Sequence, residues 1–104
     1  MRVLTSLLYI LLVLTAGIVS AQQKMVRTYY DQVRTKIKEE YAVLRSDNET
    51  LEGPYKRFYE NGNPEMEGAY KQGVRHGSFI EYSETGKVLR KLTYLNGNRQ
   101  RSEE

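Results

Sequence analysis

Few side chains in this sequence have the type and spacing that catalysis or metal binding requires. The one histidine, His76, has no serine, cysteine or aspartate at a spacing typical of a nucleophile and its base. A metal site needs three or four converging ligands, and the 104 residues contain no cysteine, which also excludes a disulfide framework. We therefore predict no metal and no cofactor.

The carboxylates offer two further possibilities. Glu65 and Glu67 would lie on the same side of one strand, and glycoside hydrolysis uses two carboxylates about 5–10 Å apart. Asp47, Asn48 and Glu49 resemble part of a calcium loop, but they lack the alternating ligands and the glycine of an EF-hand. A small sheet has no deep cleft for a substrate, so we predict a protein that is not an enzyme.

The first residues, MRVLTSLLYILLVLTAGIVSA, read as an export signal. Arg2 gives a positive start, an uncharged apolar run follows, and small residues precede a polar stretch. This pattern predicts cleavage between Ala21 and Gln22 and a bacterial protein that is exported to the periplasm or secreted. The alternative is an uncleaved membrane anchor, since the run reaches the lower limit of about 17 residues for a membrane span. Membrane contact is expected only through that uncleaved segment.

The remaining chain, residues 22–104, is poor in aliphatic side chains. Leu, Ile, Val and Phe make up 14 of its 83 residues, and 15 basic residues nearly balance 13 acidic ones. Lys56, Arg57, Phe58 and Tyr59 could contact phosphates and stack on bases, but glutamates are interleaved with the basic residues along the chain. Because a nucleic-acid footprint is a patch of one sign, we predict no nucleic-acid partner.

An internal repeat organises the rest of the chain. An offset of 24 residues superposes residues 53–73 on residues 77–97 with five identities. An offset of 29 places Tyr29 and Tyr30 over Phe58 and Tyr59, Ile37 over Met66, and Tyr41 over Tyr70. This first unit is degenerate, because Val33 stands where the later units have Gly62 and Gly86.

Each unit reads as a β-hairpin. Aromatic-rich runs are followed by glycine-containing turns, and a second run returns from each turn. Residues 27–30 and 36–43 are predicted as strands by the repeat, although residues 26–44 also have the apolar spacing of a helix. The aromatic pair Tyr55 and Phe58 are three residues apart, so either a bulge re-aims one ring or the sheet uses both faces.

The repeat resembles the MORN-repeat variant family. The residues that carry the resemblance are Gly53, Tyr55, Phe58, Gly62, Tyr70, Gly73 and Gly77 in one unit, and Phe79, Tyr82, Gly86, Tyr94 and Gly97 in the next. The resemblance implies an all-β fold of tandem antiparallel hairpins that form an elongated, twisted sheet. It also implies an interaction or membrane-proximal scaffold, and bacterial members are often described as antitoxin components.

The predicted organisation is a helical signal peptide (1–21), a degenerate first hairpin with its loop (22–48), and two hairpin repeats with a polar C-terminal cap (49–104). The predicted function is a non-enzymatic, exported protein-interaction module; the alternative is an antitoxin-like or immunity-like protein that binds a toxin. The predicted partner is a protein, or a second copy bound through the sheet edges. Tyr30, Arg57 and Tyr59 are the candidate contact residues.

Overall fold

Eight antiparallel strands form one sheet in the computed structural model, which describes residues 20–103. The strands are β1 (Gln23–Tyr29), β2 (Ile37–Leu44), β3 (Leu51–Phe58), β4 (Pro64–Lys71), β5 (Val74–Arg75), β6 (Gly77–Tyr82), β7 (Val88–Leu95) and β8 (Asn98–Glu103). Their order in the sheet is β1-β2-β3-β4-β6-β7-β8, and the short β5 pairs with β4. The all-β prediction is confirmed, while residues 1–19 of the predicted export signal lie outside the described range.

Three hairpins account for most of the sheet, and glycine sets the tips of the second and third. These hairpins are β1–β2, β3–β4 and β6–β7. Gly62 has φ 92° and Gly86 has φ 95°, a backbone region that side chains with a Cβ rarely enter. None of the described residues forms a helix that is long and apolar enough to cross a membrane.

The first hairpin consists of strands, as the repeat predicts, and the helix alternative is wrong. Its loop is longer than the others: the N–H of Tyr30 donates to the carbonyl of Lys36 across residues 31–35. The N–H of Tyr59 donates to the carbonyl of Asn63 across residues 60–62 only. Positive φ falls on Arg34 (φ 62°) rather than on Val33, which the sequence alignment had placed opposite Gly62.

The two extra loop residues shift the alignment of the returning strand. Tyr41 pairs with Val26 as Gly68 pairs with Tyr55, so Tyr41 corresponds to Gly68. The expected match of Tyr41 with Tyr70 is therefore wrong by two positions. The same shift applies to Ile37, which pairs with Tyr29 as Pro64 pairs with Phe58. Ile37 therefore corresponds to Pro64 and not to Met66.

Each hairpin has a bulge at the same place on its returning strand. Arg57 pairs with Met66 but Phe58 pairs with Pro64, which leaves Glu65 as the extra residue. The corresponding residues in the other hairpins are Lys38 and Leu89. All three bulges interrupt the register just before the hairpin tip.

The first strand of each hairpin keeps its alternation, because the bulge lies on the returning strand. Tyr55 and Phe58 therefore point to opposite faces of the sheet. Tyr82 likewise lies on the face opposite Phe79, where its hydroxyl donates to Glu67 Oε1 at 2.6 Å. Of the two sequence interpretations, the structure shows a sheet that uses both faces.

A ladder of aromatic rings crosses one face of the sheet, and two of its rings, Tyr55 and Phe79, are buried together with Ala42, Val43 and Leu92. In sheet order the ladder consists of Tyr41, Tyr55, Tyr70, Phe79 and Tyr94. The successive ring centroids are 6.0, 5.5, 5.7 and 5.3 Å apart, and all contacts after the first are edge-to-face. Such pairs stabilise beyond the area that they bury. Contacts between aromatic rings thus supplement a small aliphatic core.

The polar tail that the sequence suggests as a cap forms β8. It pairs with β7 from Lys91 to Leu95, with a register shift between Leu92 and Tyr94. Among the described strands, β8 is the outermost on this side, and β1 is the outermost on the other. The sheet therefore has two edges of very different sequence.

Candidate functional site

Two of the carboxylates considered for chemistry, Asp47 and Glu67, serve local structure, whereas Nδ1 of His76 is buried without a hydrogen-bond partner among the described residues. The Asp47 carboxylate accepts hydrogen bonds from the N–H groups of Glu49 (2.9 Å) and Thr50 (3.0 Å), and the Thr50 hydroxyl bond lowers the pKa of Asp47. Glu67 binds the hydroxyl of Tyr82. The described residues contain no group of three or more histidine or carboxylate side chains placed to bind a metal ion.

The repeat-defining residues fall into three structural roles. The glycines Gly53, Gly62, Gly73, Gly77, Gly86 and Gly97 all have positive φ. Tyr55, Tyr70, Phe79 and Tyr94 belong to the ladder. Phe58 and Tyr82 end the first strands of their hairpins on the opposite face.

Arg75 covers the end of the ladder, a role that the sequence alignment missed. Its guanidinium carbon lies 4.7 Å from the ring centroid of Phe79 and 5.3 Å from that of Tyr94. Its Nη1 donates to the Tyr94 hydroxyl at 2.9 Å. Extending the 24-residue repeat by two positions would have found the signal, because Arg99 follows Arg75 at that spacing.

Tyr30 and Tyr59 join consecutive hairpins by the same bond. The hydroxyl of Tyr30 donates to the carbonyl of Phe58 at 2.6 Å, and that of Tyr59 donates to the carbonyl of Tyr82 at 2.6 Å. The residue at the corresponding place in the third hairpin is Ser83, which is too short for this reach. Both tyrosines therefore hold adjacent hairpins together, and their hydroxyl hydrogens are not free to bind a partner.

Arg57 takes part in a chain of polar contacts on the ladder face. Its Nη2 donates to the Tyr55 hydroxyl at 3.2 Å, and that hydroxyl donates to Glu39 Oε2 at 2.8 Å. Burial, and then the bond to Glu39, raise the pKa of Tyr55 to about 12. The Nε of Arg57 is buried without a hydrogen-bond partner among the described residues.

The two junctions between hairpins differ in how tightly they close. Between the second and third hairpins, the side-chain amides of Asn61 and Asn63 both donate to the carbonyl of Glu84, at 3.0 and 2.7 Å. Between the first and second hairpins, a cleft of about 240 Å³ remains open. Its lining residues are Thr35, Lys36, Ile37, Phe58, Tyr59, Glu60 and Gly62. Of the predicted contact residues, Tyr59 lines this cleft (the tip cleft), and Tyr30 and Arg57 do not.

The predicted cleavage site lies just ahead of the first strand. The carbonyl of Ala21 accepts a bond from Arg45 Nε at 3.1 Å, and the carbonyl of Gln22 accepts one from the Arg45 N–H at 2.9 Å. β1 begins at the next residue, Gln23. Cleavage after Ala21 would leave the Gln22 bond and the whole sheet intact.

These features define an antiparallel hairpin-repeat protein that is held together by an aromatic ladder. Residues 51–72 and residues 75–96 each match the MORN repeat variant family, and the two matches are 24 residues apart. These two stretches, which make up 44 of the 104 residues, are therefore repeats of the MORN variant type. Such repeats generally act as protein- or membrane-interaction modules, and their family is not a known enzyme family. No curated protein and no solved structure matches the chain significantly. The first hairpin, residues 23–44, lies outside the matched ranges but shares the bulge and the tyrosine bond.

Proposed function

We propose that the chain is an exported, non-enzymatic module that binds a protein partner at the tip cleft. The observation that carries the proposal is the difference between the two hairpin junctions. One junction is closed by asparagine amides, and the other is open and lined by Ile37, Phe58 and Tyr59. The extra residues of the first loop accompany this opening.

The lining indicates the chemistry of the partner. Ile37, Phe58 and Tyr59 offer apolar surface, and Lys36 and Glu60 add one charge of each sign. Concave sites of this kind bind by burying an apolar group while a few polar side chains fix its orientation. We expect an aliphatic or aromatic side chain of a partner loop to enter between Ile37 and Tyr59.

Site-specific photocrosslinking tests the cleft. Lys36 and Lys87 occupy equivalent positions in the first and third hairpins. The carbonyl of each accepts the hydrogen bond that closes its hairpin loop, from the N–H of Tyr30 and of Ser83 respectively. Lys36 lines the cleft and Lys87 does not. A photoreactive residue at position 36, in the cell that makes the protein, is expected to give one discrete adduct, and the same residue at position 87 none. Equal labelling at both positions, or no adduct at position 36, would refute the cleft as the binding site.

Export forms the second part of the proposal. It is supported by the sequence of residues 1–21 and by the start of β1 at Gln23. N-terminal sequencing of the native protein should find Gln22 as the first residue, in the periplasmic or culture fraction. A chain that begins at Met1 in the membrane fraction would instead show a retained anchor, and one in the cytoplasm would contradict export.

The antitoxin-like or immunity-like function is a narrower form of the same proposal. It requires that the partner crosslinked at position 36 is a toxin. Co-expression of that partner with the chain should then restore growth, and a variant that fills the cleft, Lys36→Trp, should not. An adduct with a protein that has no toxicity would leave a binding module without this role.

A further inference from the structure

The two edges of the sheet differ in their capacity to take up another strand. β8 (NRQRSE) contains no apolar residue, a composition that protects an edge from pairing. β1 (QKMVRTY) contains Met25, Val26 and Tyr29 and no proline. No strand among residues 20–103 pairs with the outer side of β1, so its outward N–H and C=O groups are open to a partner.

The junction between the first two hairpins shows which strand suits such an edge. There the returning strand β2 pairs with the first strand of the next hairpin, β3. Glu39 lies opposite Arg57, Glu40 opposite Lys56 and Tyr41 opposite Tyr55. In β2, two glutamates are followed by a tyrosine. In β3, the two basic residues opposite those glutamates are preceded by a tyrosine.

β1 presents a related arrangement to the outside. The register shift follows Thr28 in the first hairpin and Arg57 in the second. Counted back from these residues, Arg27 corresponds to Lys56 and Val26 corresponds to Tyr55. β1 contains two basic residues, Lys24 and Arg27, and no acidic one. The Nε of Arg27 donates to Glu40 at 2.7 Å, its side chain is 51% exposed, and its other donors make no hydrogen bond within the described residues. A second carboxylate on the outer side would therefore find a charged donor already held in place.

A second copy of the chain fits this edge less well than an acidic strand. Pairing β1 with another β1 would place four basic side chains on two adjacent strands with no added carboxylate. An acidic strand instead neutralises Arg27 on one face and places an aromatic ring beside Val26 on the other. Since Val26 pairs with Tyr41, that ring would lie on the ladder face and pack against Val26, which would separate it from Tyr41.

We propose that β1 accepts an extended acidic segment of a protein partner as an added antiparallel strand, with two consecutive carboxylates opposite Thr28 and Arg27 and an aromatic residue opposite Val26. The inference rests on the proposed function as a protein-binding module, and it names the class of segment that is bound. Main-chain bonds would provide affinity, and Arg27 would provide the preference for acid.

Peptide binding to the full chain tests the proposal. The peptide is acetyl-Ser-Ile-Ser-Glu-Glu-Tyr-Ala-Val-Thr-amide, which keeps the Glu-Glu-Tyr order of β2, and the comparison peptide has Gln-Gln-Tyr. We expect the acidic peptide to bind about fivefold more tightly at low salt, the range of a single partly exposed ion pair. We also expect it to slow amide hydrogen exchange in β1 and not in β8.

Charge reversal supplies the matched control. Arg27→Glu should remove the preference for Glu-Glu and create one for a Lys-Lys-Tyr peptide. Arg90→Glu should leave peptide binding unchanged, because Arg90 forms a comparable exposed ion pair with Glu81 at 2.9 Å, away from β1. Equal effects of the two variants, equal affinity for all peptides, or no protection of β1 would overturn the proposal. Protection of β1 without peptide, together with a dimer in light scattering, would assign the edge to a second copy instead.

The outcome is independent of the tip cleft. Crosslinking at position 36 reports the cleft, whereas Arg27 and the β1 amides report the edge. Failure at position 36 with intact peptide binding would refute the cleft alone. Failure of the peptide with an intact adduct would refute the added strand alone.

Discussion

At the scale of single residues, the fold depends on one close approach between a ring and the backbone. A Cβ placed on Gly68 would lie 2.5 Å from the ring of Phe79, the side chain that is fully buried in the ladder. Gly68 also has no positive φ, so backbone conformation does not explain its presence. The glycine is there because the ring of the next hairpin lies on top of it.

Gly68→Ala is therefore expected to destabilise the protein by about 1–3 kcal/mol, the usual range for overpacking. Without the ring, alanine would be the better strand residue by about 0.5–1 kcal/mol. Urea unfolding of Gly68→Ala, Phe79→Leu and the double variant gives the coupling directly. The double variant should lose less than the sum of the single losses. Additive losses would show that Phe79 is not what excludes a side chain at position 68.

Tyr55 makes stability depend on pH in the alkaline range. Because burial raises the pKa of its phenol to about 12, from an ordinary value of 10.0, the folded chain keeps this proton longer than the unfolded chain does. The contribution of the protonated Tyr55 phenol to the free energy of unfolding is fully present below about pH 10 and is lost as the pH rises toward 12. The free energy of unfolding should fall across that range, and Tyr55→Phe should lessen the fall. An unchanged slope in Tyr55→Phe would contradict the assignment.

At the scale of elements, the tyrosine bonds between hairpins determine how the units join. Tyr59→Phe removes the hydroxyl that donates to the carbonyl of Tyr82 and is expected to lower the free energy of unfolding. Tyr41→Phe is the matched control, since the Tyr41 hydroxyl makes no hydrogen bond among the described residues and its ring stays in the ladder. Denaturant unfolding should separate the two variants, and equal losses would argue against a joining role for the Tyr59 hydroxyl.

Much of this level could be predicted from the sequence. Gly62 and Gly86 located two hairpin tips, because only glycine readily adopts the φ that those loops need. The first hairpin was harder, because its loop has two more residues and Arg34, not a glycine, adopts positive φ. Without that insertion in the alignment, Tyr41 is matched to the wrong residue. Thr35 of this longer loop lines the tip cleft, so the cleft could not be predicted from the alignment either.

At the scale of the whole molecule, the two edges of the sheet differ in their tendency to pair with other chains. β8 covers β7 from Lys91 to Leu95 with a strand that has no apolar side chain. A chain that ends at Gly97 would expose that side of β7, and such an edge pairs readily with other chains. We expect this truncated chain to form larger species in light scattering at concentrations where the full chain does not. A chain that lacks only Glu104 should behave as the full one. If the chain that ends at Gly97 scatters like the full chain, β8 is not a protective edge.

The order of the strands also has a kinetic consequence. With the exception of the short β5, each strand lies beside the strand that precedes it in the chain. The loops to be closed are short, and domains built from such local contacts fold quickly. A repeat whose units contact mainly their neighbours can also start to fold before all its units are present. The sheet can therefore assemble hairpin by hairpin, from the N-terminal hairpin to the C-terminal one.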